Sequence, residues 1–427
     1  MKATDIISKK KQGLAHTKEE IQFLIDGILD KSIADYQVSA WLMAVCLNSM
    51  NLEETAYLTE AMAKSGDMLD LSEFGEFTVD KHSTGGVGDK ITLILIPLLA
   101  QSGLPVAKLS GRSLGHTGGT IDKLEAISGF NTDLSIEKFL EQVKKIGVAI
   151  ASQTLKLAPA DGKLYALRDV TSTVDNMSLI ASSVVSKKIA AGANIIVLDV
   201  KYGSGAFIKT KEQAEELSIM MTKIAEKLGR KLICAITSME EPLGLAIGNS
   251  LEVQEAIDVL KGQGPYDTKE LTLRLGAIAM IEAKKASNET EAKAILENYM
   301  KDGSAYAKFE QLVEAQGGSL KNGLPQAKYQ IEVKAEKSGF VKVADAMTLA
   351  KAAKILGAGR DTKEDAIDYS VGIVLNKKIS DKVEKDEVLA ILHSNTENIS
   401  EVEQMVQNAY EISENPVQKE PLIYKII

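Results

Sequence analysis

Apolar and polar residues alternate at helical spacing through the first 65 residues of the chain. Thr17 and Glu20 have the spacing of a capping box, in which each side chain bonds the backbone of the other residue. Behind them, apolar residues repeat along one helical face: Ile21, Leu24, Ile25 and Ile28. Similar patterns predict helices over residues 38–47 and 53–64, so the N-terminal part of the chain is predicted to be helical.

A different pattern follows, in which short apolar runs typical of strands alternate with longer helical periods. The predicted strands cover residues 77–80, 106–109, 148–151, 195–200 and 231–237. The predicted helices cover residues 91–102, 136–146, 159–169 and 212–228. Such alternation is typical of a parallel sheet with crossover helices. From about residue 337 the pattern changes to short strands and turns.

These patterns predict an α/β multidomain protein with three parts. They are a small all-helical domain, a large α/β domain with a mostly parallel central sheet, and a C-terminal β-rich α+β module. The length of the chain favours such a division, because 427 residues exceed the usual size of a single hydrophobic core.

Composition is that of an ordinary soluble protein, with 45% hydrophobic and 26% charged residues. The formal net charge of -9 argues against a nucleic-acid surface, which needs basic patches. No apolar run reaches the length of a membrane span, and no signal-peptide core follows the N-terminal lysines. Cys46 and Cys234 have no metal or redox spacing. We therefore expect a cytoplasmic protein with no nucleic-acid and no membrane partner.

Two glycine-rich polar loops are the most informative feature of the sequence. The first reads KHSTGGVGDK (81–90) and the second KLSGRSLGHTGGT (108–120). Glycine exposes backbone N–H groups, hydroxyls donate further hydrogen bonds, and a following helix adds its positive dipole end. One such loop alone is often only a tight connection, but two cationic loops predict an anion site. Neither loop has the spacing of a P-loop or of a dinucleotide-binding fingerprint.

Longer motifs extend this signal over nearly the whole chain. KHSTGGVGDK and SGRSLGHTGGTIDKLE resemble the thymidine and pyrimidine-nucleoside phosphorylases, as do YALRDVTSTVDNMSLIASSVVSKKIAAG (165–192), IIVLDVKYGSGAF (195–207) and EPLGLAIGNSLEVQEAI (241–257). The resemblance implies reversible phosphorolysis of pyrimidine nucleosides to free base and ribose or deoxyribose 1-phosphate. It implies an enzyme of nucleoside salvage, with inorganic phosphate as co-substrate and no organic cofactor.

The resemblance also implies roles for individual residues. Its phosphate site combines ammonium groups, hydroxyls and one imidazole: Lys81, His82, Ser83, Thr92, Lys108, Ser110 and Thr120. Arg168, Ser183 and Lys187 would bind the pyrimidine, with Arg168 and Lys187 also catalytic, although spacing alone favours an exposed Arg and a surface Lys beside Lys188. His82 is the predicted catalytic group near the leaving base, because an imidazole can hold or release a proton near neutrality. His116 either joins the site or braces its loop.

The family likeness implies a division of the chain into domains. Residues 1–70 and 160–193 would form the helical domain, which binds the base and forms a homodimer. Residues 71–159 and 194–335 would form the α/β phosphate-binding domain, and residues 336–427 the C-terminal module. Base and phosphate residues then lie on different domains, so catalysis would require closure of the cleft, which also excludes water.

A potassium site is implied as well, at the positions matching the metal ligands of some family members: Gly88, Leu243, Ala246 and Glu255. Carbonyl oxygens and one carboxylate suit a hard cation. The sequence departs from the pattern at position 90, where potassium-binding relatives carry Thr and this chain has Lys. An ammonium there would either repel the ion or replace it.

Substrate choice rests on Lys108, which resembles the broad pyrimidine-nucleoside phosphorylases, whereas strict thymidine phosphorylases tend to carry Met there. We therefore expect uridine, thymidine and deoxyuridine to be accepted.

Three alternative functions stay open. They are a strict thymidine phosphorylase, a non-catalytic nucleoside-binding protein, and an anthranilate-type phosphoribosyltransferase, whose magnesium site would want an Asp-Glu pair where Asp199 stands alone. The C-terminal segment also resembles half of a lipoyl or biotin carrier domain, but no hairpin lysine motif precedes it, so we interpret it as scaffold.

Overall fold

The computed structural model of the protein describes residues 1–112, 118–152, 156–360 and 365–427. Within these ranges the helices are α1 (Ala3–Lys11), α2 (Lys18–Leu29), α3 (Asp35–Asn48), α4 (Leu52–Ala63), α5 (Ile91–Gln101), α6 (Thr120–Glu125), α7 (Ile136–Ile146), α8 (Pro159–Val170), α9 (Met177–Ala190), α10 (Lys211–Lys227), α11 (Asn249–Leu260), α12 (Tyr266–Glu282), α13 (Glu289–Lys301), α14 (Ser304–Ala315), α15 (Ala346–Ala353) and α16 (Ser400–Asn408). None of them is both long enough and apolar enough to cross a membrane.

The strands of the described ranges form four sheets. They are β1 (Val79–Ser83), β2 (Val106–Ser110), β3 (Val148–Ser152), β4 (Ile195–Tyr202), β5 (Lys231–Ser238), β6 (Ala246–Ile247), β7 (Tyr329–Lys334), β8 (Gly339–Ala344), β9 (Gly372–Leu375), β10 (Lys382–Val383), β11 (Val388–Ser394), β12 (Tyr410–Ser413) and β13 (Ile423–Ile426).

The helical part of the molecule consists of α1 to α4 together with α8 and α9. Its apolar core includes Trp41 from α3, Leu164 from α8 and Leu179 from α9. The capping box predicted at the start of α2 is present, with Thr17 and Glu20 each bonded to the backbone of the other. The apolar periodicity of the first 65 residues therefore forms this core, and α8 and α9 join it from the middle of the chain.

The central sheet has the strand order β1-β4-β5-β13, and β1, β4 and β5 run parallel. A second parallel pair, β2 and β3, is linked to β1 by the hydrogen bond from Val79 N to Pro105 O at 3.1 Å. Helix α5 lies inside this layer, with every residue from Ile91 to Ala100 buried. The mostly parallel sheet predicted from the alternating pattern is confirmed. The strand predicted at residues 77–80 is wrong in its bounds, because pairing with β4 extends it to Ser83.

The C-terminal part contains two antiparallel sheets, with strand orders β6-β9-β11-β7 and β10-β8-β12. The predicted domain boundaries stay a prediction, and several pairings cross them. Strands β6 and β7 precede residue 336 yet pair with β9 and β11, while β13 leaves the module and pairs antiparallel with β5. These partners are far apart in sequence, so local periodicity carries no sign of the pairing.

The chain passes between the helical part and the α/β part at neighbouring points. Asp67 forms a parallel bridge with Leu157, and Leu69 N donates to Ala190 O at 2.8 Å. Gly192 has φ +84°, and a Cβ on it would lie 2.3 Å from Leu69 O, so only glycine fits this crossing. The connections are therefore packed against one another.

Candidate active site

The carboxyl end of β1 holds the first three predicted phosphate residues. Lys81, His82 and Ser83 pair in register with β4, so they lie on the strand and not in the loop that the sequence suggested. The turn after them leads directly into α5, whose second residue is Thr92. The carboxyl ends of parallel strands and the start of a helix meet here, which is where open α/β sheets bind ligands.

Lys81 is buried and surrounded by acceptors. Its Nζ lies 3.5 Å from Thr92 Oγ1 and 3.7 Å from Asp89 Oδ1. Burial lowers the pKa of Lys81, and the carboxylates of Asp89 and Asp199 oppose that shift. For Asp89, the charges of Lys81 and Lys201 outweigh burial and lower the pKa of the carboxyl. The turn thus holds an ion pair at the predicted phosphate site.

Lys108 reaches the same region from β2, the strand that ends at Ser110. Its Nζ donates to Asp80 Oδ1 at 3.0 Å, while Lys188 Nζ donates to Asp80 Oδ2 at 2.8 Å. Asp80 is fully buried and shared by two ammonium groups. Burial lowers the pKa of Lys108 to about 7, although Asp80 pulls it upward. Lys108 is therefore a lysine that changes charge near neutral pH.

The second glycine loop is described at its two ends only, because the predicted His116 and the neighbouring Ser113 lie outside the described residues. At one end, Arg112 donates to Glu125 through both terminal nitrogens, at 2.5 and 2.6 Å. At the other end, Thr120 is the first residue of α6. Thr120 therefore lies at the start of a short helix that the sequence analysis did not predict.

His82 lies where these charges converge. Burial lowers the pKa of His82 well below the ordinary histidine value, and four ammonium groups lower it further: Lys188, Lys108, Lys81 and Lys187. The imidazole of the protein without ligand is therefore neutral at pH 7. Lysines predicted for phosphate, Lys81 and Lys108, and one predicted for the base, Lys187, are thus all close enough to His82 to act on its charge.

The predicted base-binding residues lie on α8 and α9. Lys187 Nζ donates to Ser183 Oγ at 2.8 Å and to Asp161 Oδ2 at 2.6 Å, so Ser183 and Lys187 share a helical face as their spacing predicts. Arg168 is 3% exposed, and its three guanidinium nitrogens donate to the carbonyls of Thr173, Val174 and Leu179. Two further N–H donors of Arg168 are not used by these bonds.

Several buried charged residues of the site were missed by reasoning from the sequence. They pair with the predicted residues or with the turn between them: Asp80, Asp89, Lys123, Asp161, Lys188 and Lys201. The exposed arginine that spacing alone favours is wrong, because Arg168 is 3% exposed. Lys188, beside Lys187, is 4% exposed and bonds Asp80. One signal was available, since Asp80 directly precedes the first motif and Asp89 lies within it, each next to a predicted site residue.

The four positions predicted for potassium are also brought together. Leu243 O, Ala246 O and Glu255 Oε1 converge on one point, with Gly88 beside them. That point is taken by the ammonium group of Lys90. The potassium ion itself stays a prediction.

Comparison with known proteins identifies the architecture. Residues 75–306 match the family model described as glycosyl transferase family, a/b domain. Residues 4–66 match the helical bundle domain of the same family. A crystal structure of anthranilate phosphoribosyltransferase from Thermus thermophilus aligns with a TM-score of 0.60 and 18% identity, over 73% of this chain and 99% of that one, which shows the fold alone. The two family models thus define a glycosyl-transferring enzyme.

Sequence relatives narrow this class. Residues 340–413 match the pyrimidine nucleoside phosphorylase C-terminal domain. The pyrimidine-nucleoside phosphorylase of Bacillus subtilis is 54% identical over 94% of each chain, and that of Geobacillus stearothermophilus is 52% identical over 99% of each chain. A Staphylococcus aureus protein of the same name is 52% identical over the full length of both chains. The chain belongs to the pyrimidine-nucleoside phosphorylase family.

Lys108 gives the site a testable pH dependence. Its pKa of about 7 leaves it partly neutral in the free protein, and a bound phosphate dianion favours the charged form. We expect phosphate binding between pH 7 and 8 to be accompanied by proton uptake, measured by calorimetry in buffers of different ionisation enthalpy. The Lys108→Met variant should take up fewer protons, since one group that gains a proton on binding is removed. Equal uptake by both proteins would refute the assignment.

Proposed function

We propose that the protein catalyses the reversible phosphorolysis of pyrimidine nucleosides, with uridine, thymidine and deoxyuridine as substrates. The products are the free base and ribose or deoxyribose 1-phosphate, as in nucleoside salvage. The observation that carries the proposal is the pair of bonds from Lys108 on β2 and Lys188 on α9 to Asp80, which brings ammonium groups of β2 and α9 to the strand that carries Lys81 and His82. Such a cluster of ammonium groups can hold an anionic co-substrate beside a neutral sugar and base.

The phosphate half of the proposal rests on Lys81, Lys108 and the hydroxyls around them. Two ammonium groups and several hydroxyls suit a divalent anion, because charge-assisted hydrogen bonds are stronger than neutral ones. The remaining proposed ligands are Ser83, Thr92, Ser110 and Thr120. A phosphate oxygen held there attacks C1′ of the sugar, the bond from C1′ to the base nitrogen breaks, and the base leaves with the electron pair.

The base half rests on Arg168, Ser183 and Lys187. The departing pyrimidine gains negative charge, which is delocalised over its ring nitrogen and carbonyl oxygens. The Lys187 ammonium, held by Asp161 and Ser183, and the unused N–H donors of Arg168 can stabilise that charge. His82, neutral in the free protein, can donate one N–H to the substrate, and the field of bound phosphate favours its protonated form.

Closure of the cleft and a homodimer complete the proposal. The connections at Asp67 and at Leu69 are packed side by side, which supports a hinge where the helical and α/β parts meet. The dimer is supported by apolar side chains on one face of α3, where Tyr36 and Leu47 are each 76% exposed and Met43 is 40% exposed. We propose a cytoplasmic enzyme whose helical part supplies the interface.

The alternatives are less well supported. Lys108 is the residue of the broad-specificity relatives, which disfavours a strict thymidine phosphorylase. Asp199 is fully buried and paired with Thr237 and Lys201, so it does not offer the free carboxylate that a magnesium diphosphate site needs. A binding protein without turnover is separated from an enzyme only by assay.

The proposed function is tested by release of free base from uridine, thymidine and deoxyuridine, each with and without inorganic phosphate. Phosphate-dependent release from all three is expected for the wild-type protein. The Lys108→Met variant is expected to lose activity on uridine more than on the deoxynucleosides, because strict thymidine phosphorylases tend to carry Met at this position. Release from deoxynucleosides alone would indicate a thymidine phosphorylase. No release, or release that ignores phosphate, would refute phosphorolysis.

A further inference from the structure

Lys90 is a buried lysine whose charge the proposed chemistry does not use. Its side chain is 0% exposed and it directly precedes α5. Its Nζ donates to Leu243 O at 3.1 Å, Ala246 O at 2.9 Å and Glu255 Oε1 at 2.6 Å. An ammonium group carries three N–H donors, and these three acceptors use all of them. The charge of Lys90 is thus fully coordinated by oxygens that come from a distant part of the chain.

The oxygens around Lys90 are themselves fixed. Glu255 Oε2 accepts from Leu245 N at 2.9 Å and from Ala246 N at 2.8 Å, which leaves Oε1 to the lysine. Gly244 has φ +70°, and a Cβ on it would lie 1.8 Å from Glu255 Oε1, so the backbone wraps closely around the carboxylate. The oxygen cage is therefore preorganised for one small cation.

Potassium does not fit this cage while Lys90 fills it. Three of the four predicted ligands accept from the ammonium, and the fourth, the carbonyl of Gly88, accepts from the backbone N–H of Lys90 at 3.0 Å. An ion that touched the same oxygens would lie against a like charge in a buried site, where repulsion is weakly screened. The donor set suits a hard cation, and the lysine supplies it.

We infer that the Lys90 ammonium takes the place of a monovalent metal ion, as a cation tethered to the chain, and that the protein works without potassium. The inference rests on the proposed function for its activity measurement. Lys90 acts as a positioning residue. Lys90 links the turn of the first glycine loop to the segment from Leu243 to Glu255. The preceding residue, Asp89, has its Oδ1 3.7 Å from Lys81 Nζ. The cation therefore holds the turn that carries the phosphate site.

The first test compares turnover of uridine in potassium chloride and in N-methylglucamine chloride of equal ionic strength. The wild-type protein is expected to be equally active in both. Lys90→Thr removes the ammonium but keeps the oxygens, so its activity without potassium should fall by about 10- to 100-fold, as for other groups that orient a site. Potassium should restore that activity in a saturable way. Lys90→Met, which keeps the bulk without the charge, should lose activity and gain nothing from potassium.

Thermal unfolding provides a measurement that needs no turnover. Relative to N-methylglucamine, potassium is expected to raise the midpoint temperature of unfolding of Lys90→Thr and to leave that of the wild type unchanged. The reason is that a ligand stabilises the folded state only if it binds to that state. Lys223→Thr, an exposed lysine on α10, is the matched control and should respond to neither salt.

Each outcome bears on the inference. A wild-type protein that requires potassium, or that potassium specifically stabilises, would overturn it, and this comparison stands even if Lys90→Thr does not fold. A folded Lys90→Thr that ignores potassium in both measurements would overturn it too. If no nucleoside is cleaved in any salt, the proposed function fails, while the unfolding experiment still decides the role of Lys90.

Discussion

Replacement of Lys187 by Gln is expected to lower kcat/KM for uridine by about 10²- to 10³-fold, the usual effect of removing one preorganised donor to a developing negative charge. The reason is geometric. Lys187 Nζ is held by Asp161 and Ser183 on the proposed base side, whereas no described bond joins it to the proposed phosphate residues. The loss should therefore appear in kcat, with little change in the KM for phosphate. Steady-state kinetics with both substrates varied will measure the two effects.

Two further variants sharpen this result. Lys223→Gln makes the same change at an exposed position on α10 and should behave as wild type. Asp161→Asn keeps the Lys187 ammonium but weakens the bond that orients it, so a smaller loss in kcat is expected. A parallel rise in the phosphate KM of Lys187→Gln, or a loss below tenfold, would contradict the assignment of Lys187 to the base.

Replacement of Asp80 by Asn is expected to lower the free energy of unfolding by about 3–5 kcal/mol, the typical effect of breaking a buried ion pair. Asp80 is fully buried between Lys108 and Lys188, and its loss leaves two ammonium groups without a counter-charge. Lys188 should then lose its tie to β1, which also loosens α9. Urea unfolding at pH 7, followed by circular dichroism, will measure the effect.

The control for Asp80→Asn is Asp70→Asn, an exposed aspartate that accepts a hydrogen bond from Ser72 N at 2.9 Å. It should change stability little.

Burial opposes ionisation of Asp80, but Lys108 and Lys188 outweigh it and lower the pKa of its carboxyl. The stability that Asp80 contributes is thus fully present above the unfolded pKa of about 4 and is lost only as pH falls through the lower folded value. The difference in free energy of unfolding between wild type and Asp80→Asn should therefore persist from pH 7 to pH 5. Its disappearance over that range would contradict this account.

The sequence alone predicts most local structure, because helices and parallel strands carry their own periodicity. Helix α7 lies at the predicted residues, and α5 and α10 differ from prediction by one residue at their ends. Pairing between distant strands has no such signature. Strands β7 and β13 therefore join sheets that their position along the chain does not suggest.

In the candidate site, too, the sequence predicts some residues and does not reveal others. Motifs point to the residues that we propose to contact a ligand, such as Lys81 and His82. They do not reveal the buried counter-charges that hold those residues, because the Asp80 to Lys188 pair joins positions 108 residues apart. Lys90 is the instructive case. A single change from the family pattern left two interpretations open, and only the geometry of three oxygens around Nζ separates them.

Strand β13 has a consequence for how the protein reaches its folded state. It covers the outer edge of β5, with Ile427 N and Cys234 O 2.8 Å apart and Cys234 N and Ile427 O also 2.8 Å apart. During synthesis the ribosome makes residues 231–238 long before residues 423–426, so a nascent central sheet carries an unpaired edge for almost half of translation. Exposed edges recruit other strands. In the interval before β13 arrives, the edge of β5 is therefore open to pairing with strands of other chains.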